Sequence, residues 1–138
     1  MENISLSISD LKKLMNNKSI YHGLITHPIY RELFGDRMAS DTLVAPAKSI
    51  EHIIDERGGK YFEYKEKINE IINDPDYIFS SKDGKNRIEV VKYIDKRVHI
   101  VLQISFSASA PNMIITLWDT HDDLNHMKLT HYVLYCKK

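Results

Sequence analysis

The side chains of this sequence best suited to moving protons near neutral pH are its seven histidines: His22, His27, His52, His99, His121, His126 and His131. His121 and His126 enclose Asp122 and Asp123, a group of the right chemistry for a divalent cation. Their spacing of five, which His126 and His131 repeat, is not that of a helical ligand pair such as i, i+4, so these residues read as a solvated surface stretch and no metal is expected. Other chemistries lack their residues. The five glycines form no phosphate-cradling loop, no serine stands in a nucleophile elbow, and the single cysteine, Cys136, has no histidine arranged to activate it. No cofactor is expected either. Two segments remain: Glu51-His52-Ile53-Ile54-Asp55-Glu56-Arg57-Gly58 and, some fifteen residues on, Ile71-Ile72-Asn73-Asp74-Pro75-Asp76-Tyr77-Ile78.

Both segments fall on or beside elements that the hydrophobic pattern marks. Leu11, Leu14 and Met15 make one apolar stripe behind a cap at Ser7 or Ser9, and Thr26 to Gly35 carries a cap, an early proline and a terminal glycine. Pro46 opens a third helix with Ile50, Ile53 and Ile54 on one face, stopped by Gly58-Gly59. A fourth runs through Tyr64, Ile68, Ile71 and Ile72 and halts before Pro75, because the residue before proline avoids the helical region.

From Asp76 the period becomes two. Tyr77 to Ser80 and Arg87 to Ile94 flank an Asp-Gly turn, His99 to Phe106 and Met113 to Trp118 follow, and Tyr132 to Tyr135 can add a last strand. This predicts an α+β fold in which N-terminal helices pack on a four- to five-stranded antiparallel meander. It also predicts a single domain over 1–138, with 1–42 a helical extension and 43–138 the core.

A chain of 138 residues, 43% hydrophobic, buries one core without staples, and one cysteine closes no disulfide, which fits a reducing, cytoplasmic setting. The N-terminal residues lack an export signal pattern, and no stretch of about 18 apolar residues predicts a membrane span. Nineteen basic residues balance nineteen acidic ones, so bulk charge does not favour coating nucleic acid. The charge is nevertheless separated: eight acids against four bases lie between Glu51 and Asp76, and six bases against three acids between Lys82 and Arg97.

His-Ile-x-x-x-x-Arg on a helix, then a second helix ending in Asn-x-Pro-Asp-Tyr-Ile, then a strand meander, resembles the barnase/EndoU/colicin/RelE-like nuclease superfamily in its phage-encoded branch, over about residues 43 to 120. The resemblance implies a metal-independent endoribonuclease that opens RNA by 2′-OH attack to a 2′,3′-cyclic phosphate. It makes His52 the general base or acid, Arg57 a phosphate ligand, Lys92 a further cation and Thr116 a supporting hydroxyl. Such cleavage needs a base for the 2′-OH proton, an acid for the leaving 5′-oxygen and fixed donors for the phosphorane charge. Tyr93, Trp118 and Tyr132 are aromatic surfaces on which an unpaired base can stack. The branch often places a second histidine after the arginine, where this chain has Gly58, so His99 or His121 would have to supply a second imidazole from the sheet. RNA, tRNA included, is the partner implied.

The helical wheel sets a difficulty. At about 100° per residue His52 lies off the apolar stripe of Ile50, and Arg57 lies close to it. The plain alternative is an exposed helix histidine, a dipole-favourable arginine and two ordinary strand residues. Two further functions compete: a catalytically inactive, phage-type binding protein that blocks a host or defence factor, and an interaction subunit that pairs through the strand from Val98 to Phe106. An antitoxin or immunity protein is the protein partner the nuclease reading allows.

Overall fold

The computed structural model of the chain describes residues 19–84 and 86–137, so the helix expected around Leu11 to Met15 lies outside the described residues. In chain order the elements are β1 (Ser19–Leu24), α1 (Ile29–Phe34), a 3-10 turn (Gly35–Arg37), β2 (Thr42–Pro46), α2 (Ala47–Arg57), α3 (Lys60–Tyr64), α4 (Ile68–Asn73), β3 (Tyr77–Ser80), β4 (Arg87–Tyr93), β5 (Arg97–Gln103), β6 (Asn112–Thr120), α5 (Asn125–Thr130) and β7 (Val133–Cys136). The seven strands form one sheet in the order β1-β2-β6-β5-β4-β3-β7.

This corrects the expected four- to five-stranded antiparallel meander behind N-terminal helices. The sheet is seven-stranded and mixed, because β2 runs parallel to β6 through Leu43↔Asn112 and Val44↔Met113. Strands β3 to β6 are consecutive antiparallel neighbours, and the segments that widen them are β1 and β2 on one side and β7 on the other. The physical cause is edge pairing: an uncovered β6 or β3 would present a row of unpaired backbone groups. Strand β5 lies between β4 and β6, so the segment beginning at Val98 offers no free edge.

Opposed residues on paired strands share a face, which sorts the sheet into two sides. Ile78, Val90, Ile100 and Leu117 lie in one row, and with Ile88, Val98, Leu102 and Ile114 they make the core face. Helices α2, α3 and α4 bury Ile50, Ile53, Ile54, Tyr61, Tyr64, Ile68, Ile71 and Ile72 against it. Each isoleucine so enclosed contributes roughly 1.5–3 kcal/mol by removal from water. The single fourth helix expected is two, interrupted at residues 65–67, where the amide of Lys67 closes a turn onto the carbonyl of Tyr64 at 2.7 Å. That interruption lets both the tyrosine pair and the isoleucine trio face inward. No helix among the described residues is long and apolar enough to cross a membrane.

The opposite face carries Phe79, Glu89, Val91, His99, Val101, Thr116 and Trp118, and α5 covers part of it, with Leu124 and Met127 packed on Phe79, Val91 and Tyr77. The part nearer β6 is flanked by α2. Strand β2 stops after two pairs with β6, and from Ala47 onward α2 packs along β6 in its stead.

Strand β1 is fastened from α4. The Asn69 amide donates to the carbonyls of His22 (2.7 Å) and Leu24 (3.2 Å), and that of Asn73 donates to Leu24 (2.9 Å). Between those carbonyls the register slips, and Gly23 adopts φ +86° with Asn69 Nδ2 only 2.7 Å from where a Cβ would stand. Gly23→Ala combines left-handed strain with a collision against the clamp, and is expected to cost about 1–3 kcal/mol. Urea unfolding followed by circular dichroism measures it, and an unchanged midpoint would contradict the account.

His22 and Asp74 are two of the groups that make stability depend on acid. Burial holds the His22 imidazole, whose Nε2 lies 2.7 Å from the Tyr61 hydroxyl, below its usual range against the opposing pull of Glu66. Hydrogen bonds from Lys137 and then Lys92 hold the Asp74 carboxyl at about 2. Below pH about 6.5 the unfolded chain takes up the His22 proton more readily than the folded one, so stability falls there as pH falls. A second loss follows between about pH 3.8 and 2, where unfolded Asp74 protonates before folded Asp74 does. Thermal melts from pH 8 to 2 are expected to fall in these two windows, and His22→Gln to flatten the first and leave the second.

Candidate functional site

Helix α2 is the element that sets the site. Its apolar stripe faces the core, and it ends where Gly58 takes φ +63° and returns its amide to the Ile54 carbonyl. It is fixed there beside β6, and two of its side chains, His52 and Arg57, meet residues of the strands. His52, exposed, joins Lys48 and Ser49 on one wall of a concavity of about 440 Å³, whose other lining includes Arg87 of β4 with Met113 and Ile115 of β6. Arg57, the last residue of the helix, extends its guanidinium over the Trp118 ring, 5.6 Å from the centroid. The helix stays regular through Arg57, and Arg57 is not among the described residues lining the His52 concavity, so the angular separation read from the wheel persists and the two side chains reach different places.

Under Trp118 lies a buried polar pair. The His99 ring stacks on the indole at 5.0 Å and 12° between planes, and its Nδ1 is 2.6 Å from Glu89 Oε2. A carboxylate has no proton to give, so Nδ1–H is the donor and the tautomer is fixed. Both residues are enclosed, with His99 3% and Glu89 7% exposed. His99 Nε2 and Thr116 Oγ1 are buried without a hydrogen-bond partner. Arg57, Trp118, His99 and Glu89 therefore form a stack from solvent to the interior of this face, with Thr116 on the neighbouring row.

The other residues singled out by sequence go elsewhere. Lys92 shares the helix-covered face with Val98 and Asp119, and its ammonium donates to the Asp74 carbonyl (2.9 Å) and carboxylate (2.8 Å), with 12% of its side chain exposed. It fastens β4 to the end of α4 and is not brought to His52 and Arg57. Tyr93 is exposed at the far end of β4, under the Arg97 guanidinium at 5.8 Å. His121 is exposed, and its carbonyl accepts from Arg97 at 3.5 Å. Tyr132 lies on a different groove, lined also by Arg37, Lys82 and Arg87.

Arg87, Lys48, Glu89 and His99 were not assigned roles by the helix motif. Arg87 is positioned by a hydrogen bond from its Nε to Gln103 Oε1 at 2.9 Å, which leaves its terminal nitrogens for a ligand. The one signal in the sequence for it is the excess of bases between Lys82 and Arg97. Among the described residues no three His, Cys, Asp or Glu side chains gather as a metal site requires. No protein-family model, curated protein or solved structure matches the chain.

Proposed function

We propose that the chain is a metal-independent endoribonuclease acting in the concavity between α2 and the sheet. The observation that carries the reading is the concavity lined by Lys48, His52 and Arg87, residues of two distant elements, with no carboxylate among the described residues of its lining. A phosphodiester is attracted there, and an exposed imidazole stands beside it. In this reading His52 removes the 2′-OH proton. The 2′-oxygen then attacks phosphorus, the bond to the 5′-oxygen breaks, and the products are a 2′,3′-cyclic phosphate and a 5′-hydroxyl. Lys48, one helical turn away in the same lining, supplies the ammonium proton for the leaving oxygen, while Arg87 takes the role that the resemblance gives to Lys92 and holds the phosphorane charge. Arg57, held over Trp118, offers a planar guanidinium against which an unpaired base stacks.

Incubation with tRNA and total RNA in excess EDTA tests this directly, with end-group analysis expected to find 2′,3′-cyclic phosphates. RNA left intact at high protein concentration would overturn it. That outcome would favour the second reading, a non-catalytic protein presenting exposed acids such as Glu51, Glu56, Glu66 and Glu70 to a basic partner.

A further inference from the structure

We infer that the groove between α1, the β3–β4 hairpin and the turn from α5 into β7 is a binding track for single-stranded RNA, continuous through Arg87 with the concavity of His52; this rests on the ribonuclease reading and adds where the rest of the substrate lies. The groove encloses about 580 Å³ and is larger than the His52 concavity. Its described lining holds Arg37, Lys82, Arg87 and His131 and no carboxylate, in a chain whose charges cancel overall. None of the four is ion-paired with a described carboxylate.

Their positions are set by neutral partners. Arg37 lies over the Phe106 ring at 5.1 Å and bonds the Phe34 carbonyl, Arg87 bonds Gln103, and His131 Nδ1 is 2.8 Å from the Thr130 hydroxyl. The guanidinium ends of Arg37 and Arg87 are therefore held without being neutralised, the condition for gripping successive phosphates, and Lys82 is exposed beside them. The floor and rim supply the second half of the recognition. Ile88 and Leu134 are apolar, and Tyr132 is 80% exposed even though its backbone is pinned to Ser80 by two hydrogen bonds, Tyr132 N to Ser80 Oγ and Ser80 N to Tyr132 O at 2.9 Å each, with β7 following directly.

A large aromatic ring that is exposed yet fixed at its backbone, beside unneutralised cations, suits stacking of an unpaired base with its phosphate alongside. Duplex RNA hides its base faces and offers no such partner. Arg87 lines both concavities, so one strand can pass from Tyr132 to His52 without crossing an acidic residue of either lining.

The test is fluorescence anisotropy of the full chain with a labelled, 2′-O-methylated dodecamer, single-stranded or annealed, which binds but resists 2′-OH attack. Expected results are preference for the single strand and at least tenfold weaker binding by Lys82→Ala/Tyr132→Ala, with a salt slope shallower by about one. Lys65→Ala/Lys67→Ala, on another surface, is expected to bind as the parent does. Equal affinity of parent and groove variant, or no binding by the parent, would overturn the inference. Cleavage by the parent with unaltered binding by the groove variant would leave the ribonuclease standing and remove only the track, whereas groove-dependent binding without cleavage would do the reverse.

Discussion

His52→Ala is expected to cleave RNA about 10²–10⁴-fold more slowly than the parent at neutral pH, the range lost with a positioned general base. His52 is exposed on the middle of α2, with Ile53 and Ile54 beside it carrying the packing, so the substitution leaves the core untouched and the loss is chemical. Alanine is also a good helix former, so no unfolding confuses the result. Arg87→Ala is expected to lower the rate by about 10²–10³ and Arg87→Lys to recover part of it, because charge survives but the fork of donors does not. Lys92→Met serves as the contrast: bonded to Asp74 on the other face, it is expected to shift the melting temperature before it shifts the rate. A full-rate His52→Ala protein would remove the imidazole from the mechanism.

The second large effect is on stability and comes from the pair beneath Trp118. His99→Phe preserves a ring to stack on the indole but leaves the Glu89 carboxylate enclosed without its donor. Breaking a buried pair by deleting one partner costs about 3–5 kcal/mol, a large fraction of the 5–15 kcal/mol that holds an ordinary domain together. The melting temperature is expected to fall by on the order of 10 °C. Glu89→Leu added to His99→Phe removes the stranded charge and should restore most of the loss, since an apolar replacement of the whole pair is often neutral or better. Thermal and urea unfolding of the four members of this cycle measure the coupling directly. A single variant within about 0.5 kcal/mol of the parent would mean that water reaches Glu89 and the pair is not sealed.

What the sequence disclosed was local. The stripe Ile50, Ile53, Ile54 between Pro46 and Gly58 produced α2 as expected, and alternation from Tyr77 onward produced the central strands. Strands β1 and β2 escaped because neither has a periodic pattern to show: Gly23 and its register slip interrupt one, and the other is five residues ending in proline. The parallel pairing of β2 with β6 joins residues about seventy positions apart, and no local rule reports a contact of that kind.

The same limit governed the site. His52 and Arg57 were legible as a helix motif, but Arg87, His99 and Glu89 acquire meaning only from strand neighbours. The second half of the motif has structural employment: Asn73 accepts from the amides of Thr26 and His27, Asp74 binds Lys92 and Lys137, and Asp76 accepts from the amide of Tyr93. A pattern that joins His-x-x-x-x-Arg to Asn-Asp-Pro-Asp thus mixes exposed helix side chains with side chains that tie α4 to the sheet and to the loop before α1.

Among the described residues the two margins of the sheet are β1 and β7, where Tyr21, Leu24 and Val133 are exposed. On each margin the ladder to the inner neighbour is irregular, between Tyr21 and Leu24 on one side and opposite Ile78 and Phe79 on the other. An incoming copy could therefore hydrogen-bond in register for only two or three residues before the repeat was lost, too short a run to seed fibrous stacking. The bulge at Gly23 thus has a colloidal consequence as well as a conformational one: it shortens the run of regular backbone that this margin offers to another copy.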